Sequence, residues 1–162
     1  MDIKIINEDS KSLREVSRSW DFTTDGDPTE LVSAMAVLMI ESKGIGLAAP
    51  QCGINKRLFI MGNLDKLVAC VNPEIVSGEG EVKDLEGCLS FPGLWLRVNR
   101  YEKVNVRYQN TKGETIELTL DGLAARVFQH EYDHLDGVCF DTRVGKTSLE
   151  LAKEKRRRKK LR

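Results

Sequence analysis

Residues 130–134 read HEYDH, and this stretch decides the fold around it and the chemistry it can support. In a helix, side chains four residues apart lie one turn apart on the same face, so His130 and His134 can bind a single cation. Glu131 is rotated off that face and stays free to transfer protons. Two imidazoles with a carboxylate are the minimum set for metal-assisted hydrolysis, although so short a pattern also recurs by chance in helices. The stretch therefore predicts a metal-binding helix.

The residues that precede this stretch have helical spacing from 122 to 135. Leu123, Val127, His130 and His134 follow one another at i, i+4, i+7 and i+11, so they share one face. Gly137 then suits the left-handed conformation that often ends a helix. We therefore expect the two imidazoles to extend an apolar stripe on a buried helix.

Two further helices are predicted at the ends of the chain. Asp27 as N-cap and Pro28 at the first helical position start a helix that runs to Lys43 and ends at Gly44. Its apolar stripe predicts that it is well buried. Residues 147–162 form a last helix, which presents Leu149 and Ala152 to the core and carries its positive charge at the carboxyl end.

The middle of the chain has strand character. Residues 58–61 and 67–71 are short apolar runs bounded by turn-forming residues, which is typical of buried strands. Residues 104–108 and 116–120 alternate apolar and polar side chains around a turn at 110–113, which predicts a hairpin. The fold class is therefore α+β, with antiparallel or mixed β-sheets around a central metal-binding helix, an N-terminal helix and a C-terminal basic helix.

Length and composition favour one catalytic domain over residues 1–162. The chain is about the size of a single domain, lacks an apolar run of the roughly 20 residues that span a bilayer, and does not begin with a signal-peptide segment. Its four cysteines, Cys52, Cys70, Cys88 and Cys139, form no CxxC pair. We therefore expect a reducing, cytoplasmic setting rather than a disulfide framework.

The net charge of zero hides a basic tail. Residues 153–162 contain eight Lys and Arg against the single acid Glu154, a net of +7, so the other 152 residues carry −7. Such a tail is either a solvated terminus or a surface that binds phosphate-rich partners.

The third metal ligand is open on spacing alone, because a catalytic site needs three protein ligands and one free position. A third histidine is excluded, since Phe140 occupies the last position of the HExxHxxGxxH pattern and the chain has only two histidines. Glu150 or Glu154 would make a Glu-liganded metalloendopeptidase, but both lie where Lys and Arg compete for a carboxylate. Cys88 stands out because it lies in a Gly-containing loop, EGCLS at 86–90, between strand-like segments. A thiolate with two imidazoles suits Fe(II) or Zn(II).

Three segments together resemble the signature motifs of peptide deformylases. They are GIGLAAPQ at 44–51, EGCLS at 86–90 and QHEYDH at 129–134, in the order and spacing of that family. The resemblance implies removal of the formyl group from the initiator methionine of nascent polypeptides, with release of formate. It also implies one divalent metal ion, usually Fe(II) and replaceable by Zn(II) or Ni(II). A non-enzymatic alternative is a structural-metal, RNA-binding protein that uses the basic tail.

The resemblance also implies a role for individual residues. It assigns the metal to Cys88, His130 and His134, general acid and base catalysis to Glu131, and oxyanion stabilisation to the side-chain amide of Gln51 and the backbone N–H of Leu89. It places Ile45, Gly46, Glu86 and Leu89 along the peptide groove and Leu123 and Val127 in the methionine pocket. Independently of the resemblance, we expect Trp95 at the groove edge. Arg100 and Asp133 either orient the ligating histidines or form an ordinary surface or structural ion pair.

The expected partners follow from the same resemblance. They are N-formylmethionyl peptides and, through the basic tail, the ribosome, on which bacterial relatives dock with a basic C-terminal helix. Some phage and organellar forms lack or alter that helix. No membrane or DNA partner is expected.

Overall fold

Residues 1–161, the part of the chain that the computed structural model describes, form seven strands and three α-helices. In chain order they are α1 (Thr29–Glu41), β1 (Gly46–Ala48), β2 (Leu58–Gly62), β3 (Leu67–Glu79), β4 (Val82–Cys88), β5 (Phe91–Arg100), β6 (Lys103–Gln109), β7 (Thr115–Asp121), α2 (Gly122–Leu135) and α3 (Lys146–Lys160). The strands form a five-stranded sheet of order β1-β2-β3-β6-β7 and a separate β4-β5 hairpin, both antiparallel. The predicted α+β class is confirmed.

Helices α1 and α2 cover opposite faces of the five-stranded sheet. Successive residues of a strand point to opposite faces, and β2 is apolar at every one of its first three positions. Leu58 and Ile60 pack with Met35 and the rest of α1, whereas Phe59 packs against α2. Because β2 is buried on both faces, its sequence is a continuous apolar run rather than an alternating one.

Phe128 joins α2 to the sheet. Its ring is fully buried and meets the ring of Phe59 edge to face, with centroids 4.9 Å apart. Ala125 and Leu135 bury the same side of the helix against β6. This contact holds one side of α2 on the sheet and leaves the side that bears His130 directed at the β4-β5 hairpin.

The β4-β5 hairpin has its own core, apart from the main sheet. Phe91 and Leu94 of β5 pack with Leu13 and with Phe140, which follows α2 along the chain. Half-buried side chains of α3, including Leu149, pack against this same core, as predicted for the last helix. Residue 162, the end of that predicted helix, lies outside the described residues. No helix within residues 1–161 has the length and apolar character needed to cross a bilayer.

Several predicted boundaries are confirmed. The hairpin of alternating residues is β6-β7, and α2 begins and ends where its spacing predicts. Gly137 has a φ of 71°, in the left-handed region, and a Cβ there would collide with the carbonyl oxygen of Arg14. Glycine at this position therefore serves both the helix end and the close passage of the N-terminal segment.

Several boundaries differ from the prediction. Helix α1 begins at Thr29, with Pro28 rather than Asp27 as its N-cap. Helix α1 ends at Glu41 rather than Lys43, because Lys43 itself leaves the helix with a φ of 60°. Strand β3 continues past Val71 to Glu79, with a shift of register between Val71 and Glu74. The intervening Asn72 and Pro73 signal a strand end in the sequence but here occupy a bulge, where a proline needs no ladder hydrogen bond.

Replacing Phe128 by Ala is expected to lower the free energy of unfolding by about 3–5 kcal/mol, because it leaves a cavity between α2 and the sheet. Urea unfolding measures the change. The control is Val37→Ala on the outer face of α1, whose side chain is 57% exposed and whose truncation is expected to cost within about 0.5 kcal/mol. Equal effects of the two substitutions would contradict the proposed anchoring of α2.

Candidate active site

Cys88, His130 and His134 meet between the end of β4 and the carboxyl-terminal half of α2. One ligand atom from each lies within 4.8 Å of the other two. The Sγ of Cys88 is 3.5 Å from Nε2 of His134, and the two imidazole centroids are 5.1 Å apart. Side chains from two elements that are distant in sequence thus converge on one point.

The spacing and chemistry of this group fit a metal ion. Zinc–sulfur and zinc–nitrogen bonds of about 2.3 and 2.0–2.1 Å at tetrahedral angles separate the two ligand atoms by roughly 3.5 Å, which agrees with the Cys88–His134 separation. Burial lowers the pKa of His134 well below its usual value, so its imidazole is neutral, as a metal ligand must be. Within residues 1–161 neither alternative ligand joins the group: Glu150 is exposed, and Glu154 pairs with Arg157 and Arg158.

Glu86 orients the ring of His130. Its Oε1 is 2.9 Å from Nδ1 of His130. Burial by itself would raise the pKa of Glu86, but hydrogen bonds from Arg100 and His130 outweigh burial and lower it to about 2. An ionised carboxylate only accepts hydrogen bonds, so Nδ1 carries the proton. Burial lowers the pKa of His130, but hydrogen bonds with Cys88 and Glu86 outweigh burial and raise it to about 10, so a metal ion that binds Nε2 has to displace a proton.

Arginines surround this carboxylate and extend the network to Asp133. Arg100 donates to both oxygens of Glu86 at 2.8 and 2.9 Å, and to Asp133 at 2.6 Å. Arg126 donates to Oε2 of Glu86 at 2.6 Å. Arg143 donates twice to Asp133. Arg100 and Asp133 were expected to orient the histidines. In the structure Glu86 makes the direct hydrogen bond to His130, and Arg100 bonds to Glu86 and Asp133.

Glu131 differs from the other buried carboxylates because one of its oxygens has no protein partner. Its Oε1 is buried and makes no hydrogen bond to the described residues. Burial raises the pKa of Glu131 to about 7, against the opposing effect of charge on His130. The backbone of β1 passes so close that a Cβ on Gly46 would lie 2.6 Å from Oε2 of Glu131. A carboxyl group in these surroundings can accept and release a proton near neutral pH.

Gln51 presents its amide to the same point. Its Oε1 accepts a hydrogen bond from the backbone N–H of Ala48 at 3.0 Å, which fixes the orientation of the amide. Its Nε2 therefore donates, to Ser90 Oγ at 3.1 Å and to Cys88 Sγ at 3.6 Å. A buried neutral donor thus lies beside the thiol.

Gln51, Cys88, His130 and Glu131 line a cleft of about 470 Å³. The cleft wall includes every residue that the sequence places in the groove or methionine pocket: Ile45, Gly46, Glu86, Leu89, Leu123, Val127 and Trp95. Large apolar side chains at its mouth are exposed, Trp95 by 57% and Leu123 by 67%. The carboxylate of Glu86 is engaged by His130 and the arginines, so its charge is neutralised within the protein.

Sequence reasoning missed the contacts of Glu86, Arg126 and Ser90. A signal for two of them was present. Glu86 lies two residues before Cys88 in the same strand, and residues spaced by two share a face. Arg126 lies one helical turn before His130. Ser90 carries no such signal, because its approach to Gln51 depends on the turn between β4 and β5.

The motif resemblance is confirmed by comparison with known sequences. The family model for polypeptide deformylase matches residues 3–149. The peptide deformylase of Thermotoga petrophila is 45% identical over 133 residues, covering 81% of this chain and 80% of the relative. That of Acidobacterium capsulatum is 48% identical over 126 residues, covering 75% and 74%.

Solved structures agree in fold. A peptide deformylase from Legionella pneumophila superposes with a TM-score of 0.90 at 36% identity, covering 99% of this chain and 96% of that one. The peptide deformylase from Synechococcus elongatus, solved in complex with actinonin, has a TM-score of 0.89 at 36% identity, covering 95% and 85%. From the family match, the identities and this shared fold, we conclude that the chain belongs to the polypeptide deformylase family.

Proposed function

We propose that this cleft carries out the family's hydrolysis with Cys88, His130 and His134 as metal ligands and Glu131 as the proton carrier. Members of this family are metal-dependent hydrolases, and this chain is one of them: it removes the N-formyl group from nascent polypeptides. The observation that carries the residue assignment is the unpartnered, buried oxygen of Glu131 beside three converging ligand atoms. A buried polar atom without a partner is costly in a purely structural site.

The metal, when bound, supplies a Lewis acid that polarises the formyl carbonyl and makes water a better nucleophile. One thiolate and two neutral imidazoles leave a dication with a formal charge of about +1, which suits Fe(II), with Zn(II) or Ni(II) as replacements. We take Fe(II) as the resident ion in the cell.

The remaining steps belong to the side chains. Glu131 removes a proton from the attacking water as the new bond forms to the formyl carbon. An N–H of the Gln51 amide and the backbone N–H of Leu89 donate to the oxygen that becomes negative. Glu131 then returns the proton to the methionine nitrogen as the carbon–nitrogen bond breaks, which releases formate and a free amine.

The cleft wall supports a formylmethionyl peptide as substrate. Leu123 and Val127 lie on the α2 side of the cleft, where an unbranched apolar side chain can be buried. Ile45 and Gly46 also line the cleft, and a Cβ on Gly46 would lie 2.9 Å from Val127, so backbone of β1 passes directly beside α2. Trp95 lies at the exposed edge. Since nascent formylated chains arise where translation occurs, we place the enzyme in the cytoplasm, as a single catalytic domain.

Protein prepared without oxygen is expected to release formate from formyl-Met-Ala-Ser. The control is Glu131→Gln, which keeps the shape of the side chain but cannot carry the proton. It is expected to keep its metal and to lower kcat by about 10²–10⁴-fold, the usual contribution of a general acid or base. Coupled formate oxidation measures turnover, and metal analysis measures occupancy. Absence of formate from the wild type, or full turnover by Glu131→Gln, would overturn the assignment.

Replacing Cys88 by Ser is expected to weaken metal binding by more than about 100-fold, beyond the 10–100-fold typical of residues that only contact a ligand. Turnover is expected to fall with it. Cys139→Ser is the matched control, because Cys139 is buried and donates only to the Leu13 carbonyl. Elemental analysis of anaerobically purified protein measures both variants and identifies the resident metal. A Cys88→Ser protein with full metal content would refute Cys88 as a ligand.

We also propose that the exposed basic face of α3 docks on the ribosome. Most of α3 lies beyond the residues that the family model matches. Arg156 binds Glu8 at 2.6 Å and holds the helix on the body, whereas Lys155 and Lys159, one turn apart, are exposed. A positive face held in this way suits a phosphate-rich surface.

Deleting residues 153–162 is expected to abolish ribosome binding in a sedimentation assay. The paired substitution Lys155→Glu and Lys159→Glu leaves the Arg156–Glu8 contact in place. It is expected to reduce the slope of log K against log salt by about 2, or one for each lost phosphate contact. Undiminished binding by the deletion protein would remove the docking proposal and leave the catalytic one intact.

A further inference from the structure

The β4-β5 hairpin carries Cys88 but is not part of the five-stranded sheet. Its position relative to α2, which carries His130 and His134, therefore does not depend on a β-ladder. Its short links to β3 and β6 and its side-chain contacts have to set it. The two-residue turn of Leu89 and Ser90 follows Cys88 directly, so any rotation of the hairpin moves the thiol.

Arg126 reaches from α2 to both strands of the hairpin. Its Nη2 donates to the carbonyl of Val82 in β4 at 2.6 Å, and its Nη1 donates to the carbonyl of Val98 in β5 at 2.8 Å. The same Nη1 donates to Oε2 of Glu86 at 2.6 Å. The guanidinium is buried, and its planar fork satisfies three acceptors that belong to two strands.

One of these contacts leads directly to a proposed metal ligand. Glu86 accepts from Arg126 with one oxygen and contacts Nδ1 of His130 with the other. Arg126 also precedes His130 by one helical turn, so both side chains leave the same face of α2. Arg100 also joins the hairpin to α2, because it lies on β5 and donates to Asp133 of the helix. The backbone carbonyls of Val82 and Val98 are bound by Arg126 instead.

We infer that Arg126 is a positioning residue, which sets the separation of the Cys88 thiol from the two imidazoles and orients His130 through Glu86. The inference rests on the ligand set proposed above and adds to it a residue that touches neither metal nor formyl group. Arg126 also lines the cleft. A role confined to the cleft wall would change substrate binding alone, and this separates the two roles by experiment.

The test uses Arg126→Met, which keeps an unbranched apolar stem and removes the three hydrogen bonds. The matched control is Arg57→Met. Arg57 also ties α2 to its surroundings through a backbone carbonyl and a carboxylate, those of Leu135 and Asp136, both at 2.8 Å. Within residues 1–161 Arg57 forms no hydrogen bond or ion pair with the hairpin, so its substitution reports loss of helix anchoring alone.

The first readout is the rate at which zinc-loaded protein loses its ion to an excess of a chromogenic chelator. Arg126→Met is expected to release zinc about 10-fold faster than the wild type, the lower end of the range for residues behind a ligand. Arg57→Met is expected to release zinc at a rate within about twofold of the wild-type rate, even if its Tm falls as far as that of Arg126→Met. Equal release by all three proteins would overturn the inference.

The second readout is steady-state kinetics with formyl-Met-Ala-Ser. Because methionine preserves the cleft wall, Arg126→Met is expected to lower kcat and leave KM unchanged. A rise of KM alone would show that Arg126 only lines the cleft, and it would contradict the positioning role. Arg126→Lys retains the charge with fewer donors, so it is expected to be intermediate in both readouts, and it decides the matter if Arg126→Met does not fold. A wild type that fails to retain one zinc ion would refute the ligand set and this inference together.

Discussion

The buried carboxylate of Glu86 is the constraint on which the site depends. Taking a charge out of water is expensive, and it is tolerated only when donors surround it. Here three side chains donate to Glu86, which belongs to β4. They are Arg100 on β5, and Arg126 and His130 on α2. Satisfying this one charge therefore brings both strands of the hairpin to the helix that carries the histidines.

Glu86 and Glu131 show how surroundings separate two buried carboxylates of the same site. Glu86 is surrounded by cations and stays ionised, which suits a group that orients an imidazole. Glu131 has an unpartnered oxygen and a pKa raised by burial, which suits a group that exchanges protons. The difference arises from neighbours rather than residue type, as in other enzymes that divide roles between two acids.

Local sequence patterns predicted the secondary-structure elements that depend only on neighbouring residues. The period of α2, the left-handed Gly137 and the alternation of the β6-β7 hairpin all depend on neighbours a few residues apart, and the structure agrees with each. The segments on either side of residues 86–90 were described as strand-like, but their pairing as the β4-β5 hairpin was not predicted. Strand β5 alternates buried and exposed residues from Leu94 to Arg100, whereas β4 is largely exposed and the register is irregular after Glu86, so no local pattern marks the pairing.

The sequence by itself determined that His130 and His134 share a helix face with Glu131 beside them, because helical geometry alone sets that relation. The motif resemblance supplied the expected partners Cys88 and Gln51. Only the tertiary structure decided that Cys88, rather than Glu150 or Glu154, meets the imidazoles. It also decided that Glu86 contacts His130 and that Arg126 donates to Glu86. These relations join residues up to 46 positions apart through a buried charge network, and no local pattern encodes which distant donors will surround one carboxylate.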